Sequence, residues 1–553
     1  MTNTGSQLKS SNQTVGLITG AALLYLLLIV PNHPIAPELL TIWMAPLELP
    51  VILLGLLLLP ATSALGKLTH LGLVIALILV TVFKLADFAT YLAFNRPFNL
   101  VIDWNLVIAG WHTLAESIGY GLALVTLLGT LIAIGLLAWV LWLATGLWLK
   151  LQPSPRLAKL SVAGLLISTT MAGAHAGHVA GHWQFANPPP GDTSTMRVAW
   201  RYVHEPVATL RSLREFENLA DGATPLHDTG LLQKLKGYDV VLIYVESYGR
   251  SSFDNPMYAA THTTTLQQAQ QQLSAQGLAM RSGWLTAPMV GGQSWLTHST
   301  MASGLWVSDQ GRYRALIKSG RSTLFDDAKA AGFRTVAIMP AIRLAWPEGD
   351  YFGFDAIYPS DALGYGGLPF NWVTMPDQFA LAALDRLERN RQTNPKPNLF
   401  VQVALSSSHA PFTPIPKLLP WDALGDGSVF NTMGQAGDSP QTIWSDTDRV
   451  REQFKLAVDY SLQTVFDYIA HHTQNNLQRR QLIIVLGDHE PARFISGVDG
   501  QDVAMHVIGP PELLSEIDTW DLTAGLIPAV NLPAWRMDEF RTRFVEAFSV
   551  GNP

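Results

Sequence analysis

The chain has no cysteine in its 553 residues, which excludes a disulfide framework. Charge is also scarce. Asp, Glu, Lys and Arg make up 14 % of the sequence against 48 % hydrophobic residues, apolar for a soluble protein but too polar for one wholly embedded in lipid. No run of Lys or Arg marks a nucleic-acid groove, and the formal charge is −7, so nucleic acid is set aside as a partner. No internal repeat is present, and low complexity is confined to 188–190 and 267–272.

What the chain does have is an apolar first third. Stretches near 15–31, 37–60, 69–94, 118–149 and 157–176 are each long enough to cross a hydrocarbon core of roughly 30 Å. Five spans are therefore expected, the second irregular in its upper part because of Pro46 and Pro50. The first reads as a retained anchor rather than a removed signal peptide, since no small-residue cleavage site follows it closely. Lys9, Lys67, Lys150, Arg156 and Lys159 fall on one side of these spans, so the rest of the chain is expected on the opposite, extracytoplasmic face of the cell membrane. Lys84 and Asp87 are costly in hydrocarbon and imply a polar cluster inside the third span. Arg96, Asn99 and Asp103 follow in the outer loop, where Arg96 is a candidate to hold a lipid headgroup.

Beyond a proline linker the pattern becomes βαβ. The segment 323–331 reads as a helix closed by Gly332, followed by a strand over 334–339; 378–391 reads as a helix and 398–405 as a strand. In 450–472, Phe454, Val458, Leu462, Val465 and Ile469 share one helical face, which should cover a sheet. The polar stretch 425–446 reads as a surface loop or flap. The expected organisation is a transmembrane domain over 1–180, a juxtamembrane linker with helices over 181–230, and a catalytic domain over 231–553.

Two short strings carry the chemistry. Val-Glu-Ser-Tyr-Gly at 245–249 and Leu-Gly-Asp-His-Glu at 486–490 each follow a β-branched run, so Glu246, Asp488 and His489 should emerge at strand C-terminal ends. Two carboxylates and an imidazole make a divalent-metal site lacking one ligand. Between them, Val-Gly-Gly-Gln-Ser-Trp at 290–295 places Ser294 at a helix N-terminus, as candidate nucleophile and fourth ligand. Ser-Ser-Ser-His at 406–409 adds His409 after another strand. His298 lies just downstream of Ser294 and could reach the pocket. His506, inside an apolar strand, reads as core.

This order of strings resembles the alkaline phosphatase and sulfatase superfamily, and more closely its membrane-anchored branch, the lipoteichoic acid synthase-like phosphoglycerol transferases. The resemblance implies an N-terminal five-helix transmembrane domain followed by an α/β domain with a mostly parallel central sheet covered by helices on both faces. It implies metal ligation by Glu246, Ser294, Asp488 and His489, catalysis by Ser294 and His409, and headgroup contacts from Trp346 and Arg343. It favours Mn2+ or Mg2+, with Zn2+ also compatible with the donors. The implied reaction moves phosphoglycerol from a phospholipid, phosphatidylglycerol foremost, to an envelope glycan or glycolipid through a covalent Ser294 intermediate. The chain departs from the family in having Ser where lipoteichoic acid synthases usually have Thr, and in that the Trp346-Pro-Glu-Gly segment lacks the Arg found near the corresponding Trp there. A formylglycine sulfatase made from Cys is excluded, and Ser294-Trp-Leu-Thr-His does not fit the serine version. Phosphoethanolamine transfer and membrane-tethered hydrolysis use the same nucleophile and metal and stay open. A transporter or channel is disfavoured by the few intramembrane charges and the long soluble part.

Overall fold

The computed structural model describes residues 4–33, 44–222, 230–391, 397–475 and 480–550. The chain divides into two compact units, Met1–Leu92 with Arg96–Ser212, and Ala93–Asn95 with Leu213–Pro553.

The first unit is helical: α1 (Thr4–Ile29), α2 (Glu48–Leu58), α3 (Ala64–Phe94), α4 (Trp104–Ile118), α5 (Tyr120–Leu149), α6 (Pro155–Val179) and α7, which begins at Ser194 and runs to Asp221 in the second unit. Among the described residues, α3, α5 and α6 are long and apolar enough to cross a membrane, while Gln13–Ile29 and Glu48–Leu58 are shorter apolar helices. Three of the five expected spans thus meet the length. Of the second, 37–43 lies outside the described residues, and Pro50 sits in the first turn of α2, where a missing N–H is harmless.

The charges expected to be costly in α3 are buried and satisfied, though not by each other. Asp87 is paired with Arg201 and accepts from Tyr202 Oη at 2.7 Å, the Phe98 N–H at 3.1 Å and Asn32 Nδ2 at 3.2 Å. Lys84 Nζ donates to the Leu28 carbonyl at 2.8 Å and Thr195 Oγ1 at 2.7 Å. Arg96 makes a bidentate pair with Asp103 at 2.7 and 2.6 Å.

The second unit is built on one sheet in the order β4-β3-β5-β1-β6-β7-β2-β8, with β9 beside β2. The strands are β1 (Tyr238–Val245), β2 (Ala279–Thr286), β3 (Arg334–Met339), β4 (Ala356–Pro359), β5 (Leu399–Ala404), β6 (Arg480–Gly487), β7 (Asp502–Gly509), β8 (Thr523–Ala524) and β9 (Trp535–Arg536). From β4 to β6 every pairing is parallel; β7 then runs antiparallel to β6, and β2 antiparallel to β7. The sheet is therefore mixed, a correction to the mostly parallel sheet expected. Short local connections cannot reveal this from sequence, because β7 reads as buried and β-branched like its parallel neighbours.

Alternate residues of β1 feed two separate cores, as the pleat requires. Val241, Ile243 and Val245 join one cluster, and Val240, Leu242 and Tyr244 the other. The first is closed by α8 (Pro256–Ala275) and α12 (Thr447–Asn475), whose Phe454, Val458, Leu462, Val465 and Ile469 are all buried. The second takes Leu296, Met301 and Ala302 of α9 (Ser294–Ser303), and Leu324, Phe325 and Ala328 of α10 (Leu324–Ala330). Thr323 and Asp326 cap α10 reciprocally, fixing its start where the sequence places it. The expected helix over 378–391 is α11 (Asp377–Leu384), continued by a wider turn over Asp385–Arg389. The stretch 425–446 is more ordered than the loop expected. It holds short helices, with Phe430 and Ile443 buried in the first core.

Candidate active site

Strand register brings the site together. Val245 of β1 pairs with Gly487 of β6, so the next residues, Glu246 and Asp488, leave the same edge side by side. β5 runs parallel on the other flank of β1, with Tyr244 opposite Ala404, and delivers 406–409 to that edge. β2, antiparallel to an antiparallel strand, points the same way and leads through Gly291 and Gly292 to Ser294. Gly292 has φ +141 and Gln293 φ 65, backbone that reverses the chain and starts α9 at Ser294.

Ser294 Oγ lies 3.2 Å from Glu246 Oε2 and 3.3 Å from His489 Nε2. His489 Nε2 is 3.3 Å from Glu246 Oε1 and 3.8 Å from Asp488 Oδ2. Glu246, Asp488 and His489 each offer a ligand atom within 4.8 Å of the others, and all three are buried. The orientation of the ring is set from behind: Nδ1 donates to the Glu490 carbonyl at 2.9 Å, which leaves Nε2 as the ring nitrogen facing the carboxylates. Asp488 Oδ1 accepts the Ser247 and His489 N–H groups at 2.7 and 2.8 Å, so Oδ2 is the oxygen turned to the centre. Two carboxylates, one imidazole lone pair and a hydroxyl fit a divalent cation.

The electrostatics agree with that fit. Burial disfavours the Glu246 carboxylate, yet the hydrogen bond and charge of His489, with the charge of His409, hold it below the usual range. Asp488, buried beside the Glu246 charge, is raised. Burial works to lower His489, but Asp488 and Glu246 push it up to about 9. A proton is thus retained where a cation would otherwise balance the carboxylates.

His409 is half-buried and stacks on Trp372, with ring centroids 3.9 Å apart. Its Nδ1 donates to the Ala410 carbonyl at 2.6 Å, leaving Nε2 to meet a ligand. The loop that carries it is held by Asp377, fully buried at the start of α11, which accepts the Ser406 and Ser407 N–H groups, both at 2.9 Å, and Ser461 Oγ at 2.7 Å. Ser408 Oγ donates to the Glu246 carbonyl at 2.6 Å.

His298 lies one turn after Ser294, buried against the Tyr244 ring at 4.1 Å; burial lowers it to about 4. Its Nε2 has no hydrogen-bond partner among the described residues. Arg343 and Trp346 follow β3, two strands from β1 and so about 10 Å along the edge. Arg343 is exposed, whereas Trp346 packs on Phe352 and donates to Tyr313 Oη at 3.4 Å. Arg96 belongs to the first unit, its guanidinium held by Asp103. His506 is core, hydrogen-bonded to Tyr248 Oη at 3.0 Å and Ser282 Oγ at 2.8 Å.

Three supports of the site went unread in the sequence: Trp372, Asp377 and Glu490. Glu490 stands in the very string that supplies the ligands, but a carboxylate beside a ligand pair carries no sign of whether it faces the cation or the protein. It faces Ser251, accepting its N–H and hydroxyl, both at 2.7 Å. The approach is close enough that a Cβ at Gly249 would overlap the Glu490 carboxylate.

No protein-family model matches the chain. No curated protein matches it either. Among solved structures it is similar to the integral membrane lipooligosaccharide phosphoethanolamine transferase A of Neisseria meningitidis, at 13 % identity over 96 % of this chain and 95 % of that one, with a TM-score of 0.46. It is also similar to the lipoteichoic acid synthase LtaP of Listeria monocytogenes, at 12 % identity over 62 % of this chain and 78 % of that one, TM-score 0.38. A third is the Streptococcus pyogenes phosphoglycerol transferase GacH bound to sn-glycerol-1-phosphate, at 12 % identity over 62 % and 82 %, TM-score 0.37. These likenesses are distant, and the chemistry of this chain rests on its own residues.

Proposed function

We propose that the chain is a membrane-anchored, metal-dependent phosphotransferase of the alkaline phosphatase superfamily. It moves phosphoglycerol from phosphatidylglycerol to a hydroxyl of an envelope glycan or glycolipid. The observation that carries this reading is a serine hydroxyl at a helix N-terminus inside a metal donor set, 3.2 Å from Glu246 and 3.3 Å from His489. In this reading the apolar helices of the first unit form a multi-pass anchor, and the second unit works on the extracytoplasmic side.

Glu246, Asp488, His489 and Ser294 would hold Mn2+ or Mg2+, or Zn2+. When bound, such a cation stabilises the serine alkoxide and offsets charge on the phosphoryl oxygens. Ser294 Oγ forms a bond to phosphorus as the bond from phosphorus to the glyceride oxygen breaks, and diacylglycerol leaves with a proton. The N-terminus of α9 favours the negative charge of the attacking oxygen. His409, steadied by Trp372 and with Nδ1 committed to Ala410, presents Nε2 to bind or protonate a peripheral oxygen. An acceptor hydroxyl then forms its own bond to phosphorus, and Ser294 departs with its proton restored.

The test is mass spectrometry of the Ser294 peptide after incubation with Mn2+ and mixed phosphatidylglycerol and phosphatidylethanolamine. A glycerophosphoryl adduct is expected. A phosphoethanolamine adduct would move the donor to the other headgroup, and headgroup release with no adduct on Ser294, also when His409 is replaced, would refute covalent transfer.

A further inference from the structure

The first part of α7 has two unlike faces. Val198 and Tyr202 are buried against Phe98, and Thr195, Arg201 and Tyr202 carry the hydrogen bonds and ion pair to Lys84 and Asp87. On the other face Met196, Trp200, Val203, Val207 and Leu210 are exposed, from 36 % to 69 %. Their spacing of four, three, four and three residues makes a continuous apolar stripe along the helix. Arg197 and Arg211, two helical heptads apart and both exposed, run beside it.

The place of the helix indicates what covers this stripe. The Met196 N–H donates to Glu48 Oε1 at 3.0 Å, at the first residue of α2, and Thr195 Oγ1 donates to the carbonyl of Leu28 at 2.9 Å, one residue from the end of α1. Leu28 also accepts from Lys84, ten residues short of the end of α3. The start of α7 is thus fastened at the level where two apolar helices end, and about 15 Å of α3 continues past it. An apolar stripe flanked by arginines at that level matches lipid acyl chains bordered by phosphate headgroups.

We infer that residues 194–212 of α7 form a membrane-surface helix whose Met196-to-Leu210 stripe is immersed in the outer leaflet of a phospholipid bilayer, with Arg197 and Arg211 at its phosphates. The inference rests on reading the first unit as membrane-spanning. It is specific to one helix face and predicts a depth for it.

The absence of cysteine allows single-site labelling of the full chain. Val203→Cys, Val207→Cys and, as reference, Ile132→Cys on α5 would each carry an environment-sensitive fluorophore. All three positions are exposed, so labelling leaves packing intact. The proteins are reconstituted in phosphatidylcholine vesicles with phosphatidylglycerol and quenched by nitroxide on lipid acyl chains or by aqueous iodide. The expected result is nitroxide quenching and iodide protection at 203 and 207, as at 132. Iodide quenching at 203 and 207 with nitroxide quenching at 132 overturns the inference alone, as does protection from both quenchers, which would mean protein covers the face. Iodide quenching at all three positions overturns the membrane reading itself.

Discussion

Glu490→Ala most directly tests how the site is held. The side chain is fully buried, and its two bonds from Ser251 join the loop after β1 to the loop after β6. Its carbonyl accepts from His489 Nδ1 at 2.9 Å and from the Gly291 N–H at 2.8 Å, reaching the turn that carries Ser294. Truncation leaves the Ser251 N–H and hydroxyl without acceptors in the interior. Hydrogen bonds to a charged group contribute about 1.5–3 kcal/mol each, so the pair sets a ceiling near 6 kcal/mol. Burial pushes the Glu490 carboxyl up to about 7, so part of its charge is already lost in the fold, and the lower end, about 3 kcal/mol, is expected. Glu490→Gln can accept the N–H through its amide oxygen and donate to the hydroxyl, and should cost about 1 kcal/mol.

The same truncation loosens the carbonyl that orients His489. Removing such an outer partner typically weakens metal binding about 10–100-fold, which is expected for Ala and not for Gln. The assay is thermal unfolding of the full chain in detergent, with calorimetric titration of Mn2+. For a unit of this size 3 kcal/mol corresponds to a fall of roughly 4 °C. An Ala variant that melts with the parent and binds Mn2+ as tightly would refute the reasoning, as would a Gln variant as impaired as Ala.

Mn2+ affinity should rise with pH up to about 9, because His489 Nε2 is protonated below that value and a proton must leave for metal to bind; each unit of pH below it costs roughly tenfold, and more below about 7, where Asp488 must also release a proton, read by titration at several pH values. Ser294→Ala should reduce transfer on the order of 10^4-fold or more while Mn2+ still binds through Glu246, Asp488 and His489, checked by lipid turnover beside calorimetry. Asp377→Ala strips two acceptor contacts from the His409 loop and one from Ser461 of α12, and is expected to lower stability by about 3 kcal/mol and turnover with it, while metal affinity holds. Asp87→Ala leaves Arg201 only Glu205, at 3.9 Å, among the described residues and should destabilise the first unit by about 3 kcal/mol, seen as earlier loss of helicity in detergent; an unchanged transition would mean the cluster is dispensable.

The sequence by itself determined the parts. Apolar periodicity placed the long helices, β-branched runs placed β1, β3, β5 and β6, and Gly-Gly-Gln marked the turn before Ser294. These signals are local, since they depend on a few neighbouring residues and on backbone chemistry. Tertiary structure alone decided the rest. Whether β7 joins parallel or antiparallel depends on how the 488–501 connection returns the chain to the sheet, which the residues of β7 do not encode, so β7 reads as any buried strand. Lys84 and Asp87 implied a polar cluster but not its members, which include Thr195 and Arg201, 111 and 114 positions away. Glu246 and Asp488 stand side by side only because Val245 pairs with Gly487, a register set by the whole buried length of two strands and not by either string.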